Sequence, residues 1–137
     1  MSVRRAGPGD VPAIALLLGE LGYPVESADL ARRIERLPAT TSVFVADTGE
    51  VVGLAALDVR QGLQHDAPSA RLVAFVVRED SRGRGIAREL AQAVESAARD
   101  AGCAHLHVTA ANRRTDAHAA YAALGFSDTG VRFGKDL

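Results

Sequence analysis

The sequence predicts an α/β fold with a mixed, largely antiparallel sheet flanked by helices. Two segments near the start repeat apolar residues at helical spacing. Two strand-like runs then meet at the turn Asp47-Thr48-Gly49-Glu50, and the second half alternates strand and helix patterns. With 137 residues, 47% hydrophobic and 24% charged, the chain has a globular composition and the length for one sizeable core. One domain over residues 1–137 is the expectation.

Val3 to Ala6 reads as a short opening strand. Asp10 is placed to cap a helix whose apolar positions Ile14, Leu17, Leu18 and Leu21 share a face, closed by Gly22. Ser27 is the expected cap of a second helix carrying Leu30, Ile34 and Leu37, stopped by Pro38. Ser42 to Asp47 reads as a strand and Val51 to Val59 as its hairpin partner. A polar stretch from Gln61 to Ser69 interrupts the pattern. Leu72 to Val77 is then a nearly continuous apolar run, expected for a strand buried on both faces. Gly83 to Ala101 reads as the longest helix, with Ile86, Leu90, Val94 and Ala97 on one side and Gly102 as its stop. His105 to Ala110 reads as a strand, Asp116 to Leu124 as a helix ended by Gly125, and Phe126 to Leu137 as one or two closing strands.

A formal charge of -1 gives no sign of the basic surface that nucleic acid or an anionic membrane would attract. Cys103 is alone, so no internal disulfide forms, and no apolar run is long enough to span a bilayer. The first residues lack the charged-then-apolar pattern of a leader, and a cytoplasmic location is expected. His105 and His107 share a strand face but lack a third ligand at convincing spacing, so no metal site is predicted.

The informative segment runs from Val76 to Ala87: a strand, a turn containing Ser81-Arg82-Gly83-Arg84-Gly85, then a long helix. The first amides of a helix have no partner inside it, and the helix dipole favours negative charge there. Gly83 and Gly85 let the backbone approach an anion, and Arg82 and Arg84 can add charge-assisted hydrogen bonds. The segment reads as a diphosphate cradle, with a simple helix cap as the plainer alternative. A triphosphate-binding signature needs Gly-Lys followed by Ser or Thr, which Gly85-Ile86-Ala87 lacks, and a dinucleotide fingerprint needs a small residue where Arg88 stands.

With this loop the chain resembles the GNAT superfamily of N-acetyltransferases, of the small bacterial type. The motif Arg/Gln-x-x-Gly-x-Gly/Ala is matched by Arg82, Gly85 and Ala87. Asn112, Ala119-Ala120-Tyr121 and Leu124-Gly125-Phe126 follow at the family's distances. Leu21-Gly22-Tyr23-Pro24, Val52-Gly53 and the closing Arg132 to Leu137 also match, so the resemblance spans nearly the whole chain. It implies a GNAT-type fold, acetyl-CoA as co-substrate, and acetyl transfer to a primary amine by direct attack in a ternary complex. The pyrophosphate would then sit on the amides of Gly83, Arg84, Gly85, Ile86 and Ala87. The pantetheine arm would lie between the Leu72–Val77 and His105–Ala110 strands, with Asn112 touching it. A backbone N–H at Val76 or Val77 would hold the oxyanion, and Tyr121 would be the acid for the departing thiolate. The resemblance also makes a homodimer the expected assembly.

An aliphatic amine of pKa about 10.4 is roughly one part in a thousand neutral near pH 7.4, a cost of about 4 kcal/mol that a base or a desolvating site must offset. The strand before the loop offers no carboxylate at Ala70, Leu72, Ala74 or Val76. Glu20, Glu26, Asp58 and the His65-Asp66 pair remain as bases, alongside a water chain. The acceptor is expected between Glu20–Glu26 and Gln61–Ser69, whose acidic residues favour a cationic amine on a small molecule or a protein. The missing strand carboxylate keeps a second reading open, a sensor or interaction module that binds acetyl-CoA without catalysis.

Overall fold

The computed structural model describes residues 1–109 and 115–137, with only the backbone of Thr115 and Asp116. The chain runs β1 (Ser2–Arg5), a 3-10 turn (Pro8–Asp10), α1 (Val11–Leu21), α2 (Ser27–Glu35), β2 (Thr41–Asp47), β3 (Val51–Arg60) and β4 (Ser69–Val77). A second 3-10 turn (Glu79–Ser81), α3 (Ile86–Asp100), β5 (Leu106–Val108) and α4 (Thr115–Ala123) complete it. It divides into two units, Met1–His107 and Val108–Leu137. Among the described residues no helix is long and apolar enough to cross a membrane.

The sheet has the order β1-β2-β3-β4-β5, and its first three pairings are antiparallel. One face is covered by α1 and α2. There Ile14, Ala15, Leu17 and Leu30 close on Val45, Leu54 and Val76, successive strands contributing one residue each. Residues two apart on a strand share a face, so Gly53 and Ala55 look the other way, toward α3. That helix buries Ile86, Leu90, Ala91, Val94 and Ala98, while Ala97, expected on this stripe, is only half-buried.

The hairpin forms as the turn residues predict. Gly49 has φ +105°, and its amide donates to Asp47 Oδ1 at 2.9 Å. The run expected to be buried on both faces is corrected at its start. Ser69, Arg71 and Val73 are exposed while Ala70 and Leu72 are buried, so β4 alternates there and is closed on both faces only at Val76 and Val77. Hydrophobic residue type alone cannot distinguish an apolar side chain left at the surface, as Val73 is, from one under a helix.

Asp10 does not cap α1 in the expected sense. It sits at the N-cap position in helical conformation, and its carboxylate turns back to accept the Gly7 amide at 2.7 Å. The same carboxylate takes two bonds from Arg4, at 2.8 and 2.9 Å, while Arg4 also reaches Asp47 at 3.1 Å. One guanidinium thus ties the first strand, the start of α1 and the hairpin turn. Ser27 is likewise the first residue of α2 and not its cap, a place taken by Glu26. α3 begins at Ile86, three residues later than expected, because Gly83 and Gly85 are left-handed.

In the second unit, α4 ends at a left-handed Gly125, and the Phe126 amide bonds back to Tyr121 O at 3.0 Å. The strands expected in Phe126 to Leu137 do not form. The segment contains an Asp128–Gly130 turn, and Val131 and Phe133 stand exposed. A strand requires a neighbour's carbonyls and amides, and the segment pairs with none among the described residues.

Arg4 and Gly7 lower the Asp10 carboxyl to about 2 from 3.8. Because the folded value is the lower one, the stabilisation is complete above the unfolded pKa and lost as pH falls from near 4 through about 2. Asp10→Asn should lower stability by about 1–3 kcal/mol at neutral pH. It should also remove part of the acid dependence in that window, as read by urea unfolding at several pH values.

Candidate functional site

The site begins at the end of β4. The Arg78 amide donates to Val52 O at 2.7 Å, which makes Val52 and Arg78 a bonded pair. Bonded pairs recur at every second residue of an antiparallel ladder. Leu54/Val76 is therefore the next bonded pair, and Gly53/Val77 lies between them. The Val76 amide is spent on β3, whereas the N–H and C=O of Val77 point to the opposite edge, the side of β5.

The register shifts part-way along β4. Ala56 pairs with Ala74 but Leu57 with Leu72, so Val73 is an extra residue that bulges β4. β5 is tied to the start of β4 by the Ala70 amide on His105 O at 3.3 Å. Among the described residues β5 has three residues and β4 has nine.

Beyond Val77 the chain turns through Glu79–Ser81, where Ser81 is buried, and reaches Arg82 in extended conformation. Arg82 Nε donates to Val77 O at 3.1 Å, so the guanidinium is held at the same edge as the Val77 amide. Gly83 and Gly85 have φ of +79° and +80°, a region that costs other residues about 1–2 kcal/mol. The first bond of α3 is Glu89 N–H to Gly85 O at 3.2 Å. The amides from Gly83 to Arg88 have no backbone carbonyl among the described residues, and Arg82, Arg84 and Arg88 stand exposed around them. Unspent donors, a helix N-terminus and the Arg82 guanidinium lie together here, with Arg84 and Arg88 exposed on the same segment, a combination suited to an anion.

Several braces hold the loop. Ile86 is buried against the sheet, so only its backbone serves the loop. Gly53 lets α3 approach: a Cβ there would lie 2.8 Å from Leu90 Cδ1 and 3.2 Å from Ala46 Cβ. Glu20, at the end of α1, accepts the Glu79 amide at 2.9 Å, and Arg78 pairs with Asp80 and Glu50. The Arg78 guanidinium holds the Asp80 carboxyl below its ordinary range. The residue pattern did not reveal the bracing role of Glu20 or the bulge at Val73; the glycine at a strand interior was the available signal for Gly53.

Of the residues expected to serve the site, Val77, Arg82, Gly83, Arg84, Gly85, Ile86 and Ala87 are contiguous here, with Val76 turned to β3. Asn112 lies outside the described residues. Tyr121 is in the second unit, half-buried, with its ring edge-on to Phe126 at 5.7 Å. His105 and His107 have ring centroids 6.3 Å apart, and burial pushes the Cys103 thiol up from its ordinary value.

Comparison with known proteins bears on the family and the fold. The model of the acetyltransferase (GNAT) family matches residues 13–126. An aminoglycoside N(6')-acetyltransferase type 1 of Stenotrophomonas maltophilia is 34% identical, over 93% of this chain and 87% of that protein. A GNAT family acetyltransferase of Staphylococcus aureus superposes with a TM-score of 0.84 at 20% identity, covering 99% of this chain and 98% of that one. An aminoglycoside antibiotic 6'-N-acetyltransferase of Acinetobacter baumannii gives 0.82 at 23%, with coverage of 99% and 98%. At these identities the two structures speak for the fold.

Two glycine replacements should separate backbone strain from crowding. Nothing lies within 4 Å of a Cβ at Gly85, so Gly85→Ala should cost about 1–2 kcal/mol through its dihedrals alone. Gly53→Ala should cost about 1–3 kcal/mol by overpacking against Leu90 and Ala46. Trimming Leu90 to Ala should relieve part of the second cost and none of the first, as measured by urea unfolding of the paired variants.

Proposed function

The chain belongs to the acetyltransferase (GNAT) family and is an N-acetyltransferase, and we propose that it moves an acetyl group from acetyl-CoA to a primary amine by direct attack in a ternary complex. The observation behind this reading is the alignment of donors along one edge. The Val77 amide, the Arg82 guanidinium and the amides from Gly83 to Arg88 follow one another from β4 into α3. Donors so placed suit a ligand with a diphosphate at one end and an amide-bearing arm that runs on along the strand.

In this reading the loop amides, with Arg82 and Arg84, bind the pyrophosphate. The arm runs along β4 on its β5 side, and Asn112 contacts it. The amine nitrogen attacks the thioester carbonyl, and a backbone N–H of β4 nearer the Val73 bulge receives the charge that gathers on oxygen, because Val77 is clasped by Arg82 and so lies at the diphosphate end. A fixed backbone dipole needs no reorganisation at that moment. The carbon–sulfur bond then breaks and Tyr121 supplies a proton to the leaving thiolate. A thiol of pKa about 8.5 leaves with modest help, so the harder task is removing a proton from the ammonium. Glu20 is a poor base for that task, since its carboxylate is engaged by the Glu79 amide. The aminoglycoside relatives support a small-molecule acceptor.

Titrating coenzyme A into the folded protein should release binding heat, and Gly83→Ala or Arg82→Ala should weaken it. Absence of heat with the parent protein would overturn the loop assignment. Free thiol should appear when acetyl-CoA and a suitable amine are mixed; binding without thiol across a broad amine panel would favour the sensor reading instead. Tyr121→Phe should lower kcat by about 10- to 100-fold, and unchanged turnover across pH 6–9 would remove Tyr121 from the mechanism.

A further inference from the structure

The sheet face beneath α1 and α2 is apolar along Val43 and Val45, Leu54 and Ala56, and Ala74 and Val76, and then it changes character. In the next row Thr41 pairs with Asp58 and Asp58 pairs with Arg71; one step on, Arg60 pairs with Ser69. Cross-strand partners share a face, and so do residues two apart. Thr41, Asp58, Arg60, Ser69 and Arg71 therefore form one polar patch on three strands, flanking the Gln61–Pro68 connection and lying before the Val73 bulge.

Asp58 differs from the other sheltered carboxylates. Asp10 is gripped at 2.7–2.9 Å, and Asp47 accepts the Gly49 amide at 2.9 Å. Asp58, whose side chain is 18% exposed, has among the described residues only two long contacts, Thr41 Oγ1 and Arg60 Nη2, both at 3.4 Å. A carboxylate accepts about four hydrogen bonds, so much of its capacity is unspent. Arg60 is 80% exposed, and Arg71 makes no ion pair with any described residue. One sheltered carboxylate with two guanidinium groups bears a net positive charge. A polycation would meet repulsion there, whereas an amine with an anionic neighbour finds a partner for each charge.

We propose that this patch is the acceptor seat, and that it selects amines bearing a nearby carboxylate or phosphate, with Asp58 taking the ammonium and Arg71, aided by Arg60, taking the anion. The inference rests on the acetyltransferase reading, because an arm laid from the loop along β4 toward the bulge ends at this side of the sheet. It revises the cationic acceptor expected from Glu20, Glu26 and Asp66. Asp58 and Arg71 are specificity-determining residues in this scheme; deprotonation and attack remain as described above.

The test is calorimetry with protein saturated by coenzyme A, using amines that differ only in the anion: lysine against cadaverine, phenylalanine against phenethylamine, phosphoethanolamine against ethanolamine. Kanamycin serves as the polycation. The acid-bearing member of at least one pair should bind about tenfold tighter or better. Preference in the amino-acid pairs identifies a carboxylate, and preference in the last pair a phosphate. Arg71→Gln, at an exposed position, should bring the pair to near parity, and Asp58→Asn should weaken both members. Equal binding within every pair, tighter binding of kanamycin, or a preference untouched by Arg71→Gln would overturn the seat. Thiol release from acetyl-CoA is read separately. Anion preference without turnover would sink the transferase reading and leave the seat standing; turnover without the preference would do the reverse.

Discussion

The functional reading depends on a set of backbone amides that the fold leaves unsatisfied. From Gly83 to Arg88 the chain offers donors to no carbonyl among the described residues, at the positive end of α3. Such groups are costly when buried and useful when an anion can reach them. Their position is fixed from behind, where α3 rests on a sheet made thin by Gly53, with Leu90 filling the space a methyl group would occupy. A change under the helix is therefore also a change in the loop. Burying Leu90 alone is worth about 1.5–3 kcal/mol, comparable with the strain that two left-handed positions would impose on other residues.

The two ends of the proposed reaction meet different electrostatics. At the loop, three arginines lie on the segment that carries the unspent amides, and the nearby Asp80 and Glu50 are occupied by Arg78. Further back on β4, charges of both signs stand within one patch on the face shared with α1 and α2. Between them lies a stretch of apolar strand with a single bulge. The first unit thus separates a region suited to strong negative charge from one suited to a mixed ligand. Glu20 links the end of α1 to the turn before the loop, so movement of α1 would be felt at the loop proposed to take the phosphates.

Much of this was legible in the residues because local chemistry determined it. The loop was visible in Arg82-Gly83-Arg84-Gly85 after an apolar strand, since only glycine adopts those dihedrals cheaply. The hairpin was visible in Asp47-Thr48-Gly49-Glu50 for the same reason. What was not legible depends on partners distant in the chain. Nothing local says that Asp10 will turn back to Gly7 and Arg4, that Glu20 will find an amide 59 residues away, or that Val73 will be squeezed out of register. Phe126 to Leu137 read as one or two strands, but pairing is a property of two segments, and no described residue supplies the second. Asp58 was one acid among several in the sequence; its distinction is its place in a row across three strands.

The clasp between Arg82 and Val77 bears on which side chains the position tolerates. A guanidinium can divide its labour, because one nitrogen fastens to the strand while its two terminal nitrogens stay available to a ligand. A glutamine amide, which the family motif also accepts there, has two hydrogens and can split them in the same manner. Lysine concentrates its donors on one mobile atom, so reaching the anion means releasing the strand. The geometry thus gives a reason why this family writes Arg or Gln at that point, and why preserving positive charge would not preserve the role.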